Sequence, residues 1–288
     1  MDILIYGFIQ SVSLILMAFG FSLVYGVSRL PNFAHGAIYV LTGFGAWILL
    51  NQVGLPYPLA VAGALAGAGL LGVLIYQVVI KRVRGLEISE VIATYAIGLA
   101  ILEGLRWAGF RGTTYSLPPI SDGVIFIGDV PVDHQRLAVV ILGFGVLGAL
   151  WLFTRYTRIG LALKGMAQDE HAAMMLGIDS DRVATVAVAL GSALAGLAAV
   201  ILLPLGSVVV EEGYKVLIYA IAVCVVGGLG SWGGTVLASF VLGYSQYLTV
   251  AYGKAHYQMV VMLLAIIVTL IFRPSGFFGK QKQLEERV

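Results

Sequence analysis

Charge is what this sequence has least of. Of its 288 residues, 17 are Lys or Arg and 15 are Asp or Glu, together 11%, where a soluble domain carries roughly 25%. Hydrophobic residues make up 60%. So few charged side chains cannot cover a packed soluble domain of this length, and the composition places the chain in a lipid bilayer. Cysteine is nearly absent: Cys224 stands alone, inside an apolar run, which excludes intrachain disulfides and cysteine-based metal sites. The four histidines are widely spaced, and no GxxxxGK[ST], HExxH or GxSxG occurs. An enzyme is not expected, and neither is a nucleic-acid partner. A cleavable leader is not expected either, since Asp2 is the only early charge and no small-x-small site follows the first apolar run.

What is present is hydrophobicity in blocks. Residues 3–28, 30–80, 137–154, 183–210, 216–253 and 255–272 contain no Asp, Glu, Lys or Arg. A membrane helix takes ~20 mostly apolar residues, so the run 30–80 must hold two. Asn51, Gln52, Pro56 and Pro58 mark the turn between them. The run 216–253 divides at the glycine-rich stretch 227–234. The fold read from this pattern is an all-α polytopic membrane protein, a single transmembrane domain over 1–288. It has about 8–9 transmembrane helices, near 4–27, 33–50, 58–80, 88–109, 136–154, 183–204, 214–229, 234–252 and 256–272. The segment 214–229 is the shortest and either spans or re-enters. Barrel strands would show ~10-residue alternation instead.

Lys and Arg sort the loops into two sets. Arg29, Lys81, Arg82, Arg84, Arg155, Arg158, Lys164, Arg182, Arg273, Lys280, Lys282 and Arg287 make twelve on one side; Arg111, Arg136, Lys215 and Lys254 make four on the other. The basic side is expected to be cytoplasmic, which puts the C-terminus inside and, with nine crossings, the N-terminus outside. The outer loop 110–135 is expected to form a hairpin turning at Gly128-Asp129. The inner loop 155–182 is expected to form one or two short helices, with Gly177 as a C-cap and Asp179 starting the next element. Its apolar residues Ile159, Leu163, Met166, Met174 and Met175 are expected to be exposed over a polar face and to dock against something.

Ionisable residues within the segments are few: Glu90, Glu103 and Arg106, the last two spaced to neutralise each other. More informative are two breaks, near 29–36 and 227–234. Pro31 ends one helix, Asn32 is expected to cap the next, and His35 falls in its first turn. Broken helices expose backbone groups to a solute. Gly63-xxx-Gly67, Gly191-xxx-Ala195 and Ser192-xxx-Gly196 read as helix-packing signals.

The sequence resembles the LivH/LivM-type permeases of ABC importers for branched-chain amino acids. The resemblance runs through Asn32-Phe-Ala-His-Gly, Ile92-Ala-Thr-Tyr-Ala, Thr157-Arg-Ile-Gly, Ala172-Ala-Met-Met-Leu-Gly-Ile, Gly227-Gly-Leu-Gly-Ser-Trp-Gly-Gly and Arg273-Pro-Ser-Gly-Phe-Phe-Gly. Asn32-Phe-Ala-His-Gly is closer to the LivH branch; Ala37 stands where members often have glutamate. The resemblance implies a permease subunit in a prokaryotic cytoplasmic (inner) membrane that carries branched-chain or other apolar amino acids. It implies partners: a second permease subunit (a LivM-like paralogue or a second copy), two cytoplasmic ABC ATPases, which use the ATP, and an extracytoplasmic substrate-binding protein. The loop 155–182 then resembles the family's cytoplasmic coupling helix, with Arg158, Gly160, Asp169, Glu170, Ala172, Ala173 and Gly177 as ATPase-coupling residues. Asn32, His35, Thr94 and Ser231 are candidates for the substrate pathway. Glu211 and Glu212, with the loop 110–135, are candidates for contact with the binding protein. The alternatives are a related permease for urea, short amides or other small solutes, an ATP-independent channel or secondary carrier, and a non-transporting scaffold.

Overall fold

The computed structural model describes residues 1–29, 31–110 and 115–279, and helices stand where the apolar runs stand. In chain order they are α1 (Asp2–Ser28), α2 (His35–Asn51), α3 (Tyr57–Val83), α4 (Glu87–Trp107) and α5 (His134–Tyr156). Two short helices follow, α6 (Arg158–Gln168) and α7 (Glu170–Met175), then α8 (Ser180–Leu202), α9 (Glu212–Gly227), α10 (Trp232–Tyr252) and α11 (Tyr257–Phe272). A hairpin of β1 (Val124–Ile127) and β2 (Val130–Asp133) precedes α5. All nine apolar stretches are helical. Among the described residues, five helices are long and apolar enough to cross a membrane alone, and six if α9 and α10, bent by 114°, count as one broken span. That measure falls short of 8–9 because α2, α9 and α11 have only 16 or 17 residues, fewer than the ~20 of a straight crossing, and α10, with 21 residues, passes only together with α9.

The centre of the bundle is α1. It packs against α10, α8, α9 and α5, and most of its side chains are buried. Two of its buried serines satisfy themselves within the helix: Ser11 Oγ donates to the Gly7 carbonyl at 2.7 Å and Ser13 Oγ to Ile9 at 3.0 Å, the usual answer for a hydroxyl in an apolar helix. Crowding is possible because backbones meet directly. A Cβ on Gly20 would stand 2.6 Å from the Gly191 carbonyl oxygen. Gly191 therefore serves as the packing signal implied, as does Gly196 against Thr42. Gly63 sits only beside the Leu49 side chain of α2, and Gly67 faces open space. The buried stripe of α3 is Ala60, Ala64, Ala68 and Gly72, which faces α8. Gly63 and Gly67 lie one residue, about 100°, round the helix from that stripe, and a Cβ on Gly67 would meet nothing within 4 Å.

The hairpin turns where expected. Ile127 pairs with Val130, leaving Gly128 and Asp129 as the loop, and Gly128 takes φ 64°, a conformation glycine adopts freely. Val130 and Val132 pack inward against Ile9, while all four β1 residues are exposed. Tyr6 fastens this hairpin to α1 by donating to the Pro131 carbonyl. Tyr6 also stacks on Tyr247 and lies beneath Arg136. At the other end of α1, the break after α9 meets the segment after α11: the Phe277 and Phe278 amides donate to the carbonyls of Val226 and Gly227 at 2.9 and 3.0 Å.

Candidate translocation and coupling sites

The first break is built from a local conflict. Ser28 ends α1, and Arg29 takes φ 58°, the one positive φ outside glycine among the described residues. Leu30 lies outside the described residues. The expected cap is corrected here: α2 begins at His35 with Ala34 in the cap position and no side-chain cap bond. Asn32 closes the turn before the helix instead. Its Oδ1 accepts from the Ala34 amide at 3.1 Å and its carbonyl from the His35 amide at 3.2 Å, a reach of two residues that suits an asparagine turn.

His35 opens α2 as expected, and it is fully enclosed. Its Nε2 lies 2.8 Å from the Met17 carbonyl oxygen and its ring meets Phe21 edge-on. Thr94 on α4 accepts from the Phe33 amide at 3.3 Å and donates to the Glu90 carbonyl. Glu90 in turn accepts from the Gly85 amide at 2.7 Å. Asn32, Thr94, Glu90 and Tyr76 border a void of about 10 Å³, room for one water at most. Asn32, His35 and Thr94 are thus brought together as a strut joining α1, α2 and α4.

Ser231 belongs to the second break. Gly228 and Gly230 take φ 100° and 76°, and Ser231 Oγ caps α10 by accepting from the Gly234 amide at 3.2 Å. The second break touches the last turn of α1: a Cβ on Gly230 would lie 2.9 Å from Gly26 Cα. Thr235 adds a hydroxyl bond to Ser22 of α1 at 2.9 Å. The four pathway candidates therefore fall into two groups linked through α1. Ser231 borders an open cavity of about 800 Å³.

The loop 155–182 folds as α6 and α7, laid against the end of the bundle. Thr157 caps α6 through the Gly160 amide at 2.9 Å. A Cβ on Gly160 would overlap the Phe153 carbonyl, so this glycine lets α6 fold back on α5. Asp169 Oδ1 accepts from the Ala172 amide at 3.0 Å and Asp179 Oδ1 from the Arg182 amide at 3.1 Å. Gly177, at φ 83°, ends the short helix as expected.

One expectation for this loop is corrected. Leu163 and Met166 point into the bundle with Ala173, in a cluster with Phe19 and Leu23. A short amphipathic helix lying on a bundle buries its apolar stripe against that bundle first. The outward apolar residues are Ile159, Leu161, Met174, Met175 and Leu176, the last two 89% and 84% exposed. Arg158 and Ala172 are exposed as well. Glu170 finds partners within the chain: Arg84 Nη2 lies 2.6 Å away and Ser180 Oγ donates to it at 2.7 Å.

Arg84 is the residue that sequence reasoning missed. Its guanidinium also reaches Asp181 at 2.5 Å and contacts Ser180. Asp181 further accepts from Tyr76 at 3.0 Å and pairs with Lys81 at 3.1 Å. Tyr76 begins a π-helical turn within α3, Tyr76–Ile80. One arginine thus ties α7, the start of α8 and the end of α3 together. Its carboxylate partners are 86 and 97 residues away, so no local spacing announces them.

At the opposite end, Glu211 and Glu212 also find partners within the chain, and the Glu211 side chain stays largely exposed. Glu211 pairs with Arg106 at 3.1 Å and Glu212 with Lys215 at 2.6 Å. Hydrogen bonds from its own backbone and from Arg106 hold the Glu211 carboxyl below its ordinary range. Arg106 also pairs with Glu103, as the spacing implied. Of the loop 110–135, residues 111–114 lie outside the described residues. Phe110 and Tyr115 pack against Phe44.

Comparison with known proteins adds a family context to this geometry. A family model described as the permease component of branched-chain amino acid transport systems matches residues 3–270. The high-affinity branched-chain amino acid transport system permease protein LivH of Escherichia coli K12 is 28% identical over 280 residues, covering 92% of this chain and 91% of that protein. A protein of Methanocaldococcus jannaschii named "Probable branched-chain amino acid transport permease protein LivH" is 31% identical over 298 residues, covering 94% of this chain and 90% of that protein. Among solved structures, PsaBC from Streptococcus pneumoniae in complex with Fab has a chain that matches with TM-score 0.55 at 12% identity, covering 100% of this chain and 96% of that one. That likeness is one of fold alone.

Proposed function

The chain belongs to the family of branched-chain amino acid transport permease components, and from that premise we propose its role in detail. It is the membrane-spanning subunit of a binding-protein-dependent ABC importer for branched-chain or other apolar amino acids. A second permease, LivM-like or a second copy, completes the pore. Two ABC ATPases attach at the basic, cytoplasmic end and hydrolyse ATP, and an extracytoplasmic binding protein delivers the solute. The C-terminus lies inside and the N-terminus outside.

One observation carries this reading. Met174, Met175 and Leu176 form an exposed apolar ledge at the end of α7, and that helix is anchored to the bundle through Arg84 and Glu170. An exposed apolar ledge on a fixed mount suits a partner's groove. When the ATPases close, the ledge moves, and Arg84 carries that movement into α3 and α8, where it biases one of two bundle arrangements. An apolar zwitterion needs few fixed charges along its path. Asn32, His35 and Thr94 act by holding the break between α1 and α2, and the binding protein sets selectivity.

The test uses the ledge. Gly177 is a poor probe, because any side chain at φ 83° is strained. Met175→Glu and Leu176→Glu are better, since both positions are exposed and the fold has no stake in them. Each should insert normally and lose ATPase binding by about tenfold or more, as expected for a charge left in an apolar contact. ATPase retained at parental levels on a tagged double variant would sink the docking assignment.

His35→Ala gives a second expectation. It leaves the Met17 carbonyl without its ring partner and should cost about 1–3 kcal/mol of stability. Transport should fall while the ranking of competing amino acids stays the same. A changed ranking in competition uptake assays would place His35 in a selective site instead.

A further inference from the structure

The 800 Å³ cavity at the basic end is not explained by solute transport. Three cationic side chains border it, Arg29, Arg155 and Lys164, and no acidic residue does. Among the described residues none of these three is in an ion pair. An amino acid entering here would bring its ammonium group against three cations with no carboxylate to receive it. The chemistry of the lining calls for an anion.

The rim says which kind. Trp151, Leu270 and Phe278 border the same cavity and are each at least half exposed. Trp151 is on α5 and Leu270 on α11, both helices with apolar outer faces. Arg155 lies over the Trp151 ring, its guanidinium carbon 5.1 Å from the centroid, so charge and aromatic surface meet at one level. Arg29 enters from a left-handed turn. A cationic floor under an outward apolar rim fits an amphiphile, with its headgroup inside and its chains along α5 and α11.

We propose that this cavity binds an anionic phospholipid, the headgroup phosphate held by Arg29, Arg155 and Lys164. Because Lys164 is on α6, an occupied cavity would also brace the coupling loop. The inference depends on membrane residence alone, not on which solute is carried, so failure of the transport assignment would leave it standing.

The experiment is a lipid titration of the intact, delipidated permease in mild detergent, read by native mass spectrometry and by thermal unfolding. The probes are phosphatidylglycerol, phosphatidylcholine with the same acyl chains, and inorganic phosphate. Phosphatidylglycerol should bind at least tenfold more tightly than phosphatidylcholine, a preference in line with a few headgroup–cation contacts of about fivefold each. Phosphate alone should leave the unfolding temperature unchanged. Arg155→Gln and Lys164→Gln, both at exposed positions, should each reduce the preference about fivefold, whereas Arg182→Gln should leave it intact. Equal binding of the two lipids, an undiminished preference in the Arg155→Gln/Lys164→Gln variant, or the same protection from phosphate alone would overturn the proposal. Should the double variant fail to fold, an undiminished preference in both single variants would overturn it as well.

Discussion

Replacing Arg84 with glutamine should uncouple the importer, lowering uptake by about tenfold or more while the ATPases remain bound. The expectation follows from where the guanidinium sits. Arg84 bonds Glu170 of α7 and Asp181 of α8 at once, and charge-assisted bonds contribute ~1.5–3 kcal/mol each when well enclosed. These side chains are roughly a third exposed, so water screens part of that, and the cost to folding should be modest. The cost to coupling should be larger, because without Arg84 the start of α7 loses its tie to α3. Arg84→Lys should recover only part of the activity, since an ammonium cannot span two carboxylates as a planar fork does. The measurement is ATP hydrolysed per solute moved: it should rise in both variants, and more in glutamine. Parental uptake and stoichiometry in Arg84→Gln would mean the network is ornamental.

A second large effect is expected at the break before α10, where neighbouring glycines should behave in opposite ways. A Cβ on Gly234 would overlap the Gly227 carbonyl, and a Cβ on Gly227 would overlap that of Gly234. Gly233 meets nothing within 4 Å. Both Gly233 and Gly234 lie in the first turn of α10, so their helix propensities gain equally from alanine, by ~1 kcal/mol. Overpacking a tight backbone contact costs ~1–3 kcal/mol. Gly233→Ala should therefore keep or slightly raise the unfolding temperature in detergent, while Gly234→Ala should lower it and reduce yield. Equal behaviour of the two variants would contradict the packing described for this break.

That pair of glycines also marks how far the sequence can be read. The run 227–234 announces a break because glycines interrupt an apolar stretch, but which glycine bears the contact depends on the path of α9. All nine helical stretches, the hairpin turn at Gly128-Asp129 and the caps at Gly177 and Asp179 are local matters of hydrophobicity and turn chemistry, and each is legible in the sequence. The direction of α6 is not: Leu163 and Met166 show an apolar stripe, yet only the packing of α1 decides that the stripe faces inward. Glu170, Glu211 and Glu212 do not announce their partners within the chain, because their spacing hides Arg84, Arg106 and Lys215 or leaves their geometry open. Asn32 does order the first break, as its place beside Pro31 suggests, but it sits two residues too early in the turn to be the cap.

If the chain is driven by ATP hydrolysed elsewhere, that dependence can be measured directly. The test is reconstitution of the chain in liposomes with its second permease and ATPases, with binding protein outside, ATP inside, and labelled leucine supplied. Leucine should accumulate only when binding protein, leucine and internal ATP are all present, and hydrolysis should rise with the liganded binding protein. Accumulation by the chain alone, driven by an imposed ion gradient and indifferent to ATP, would contradict it.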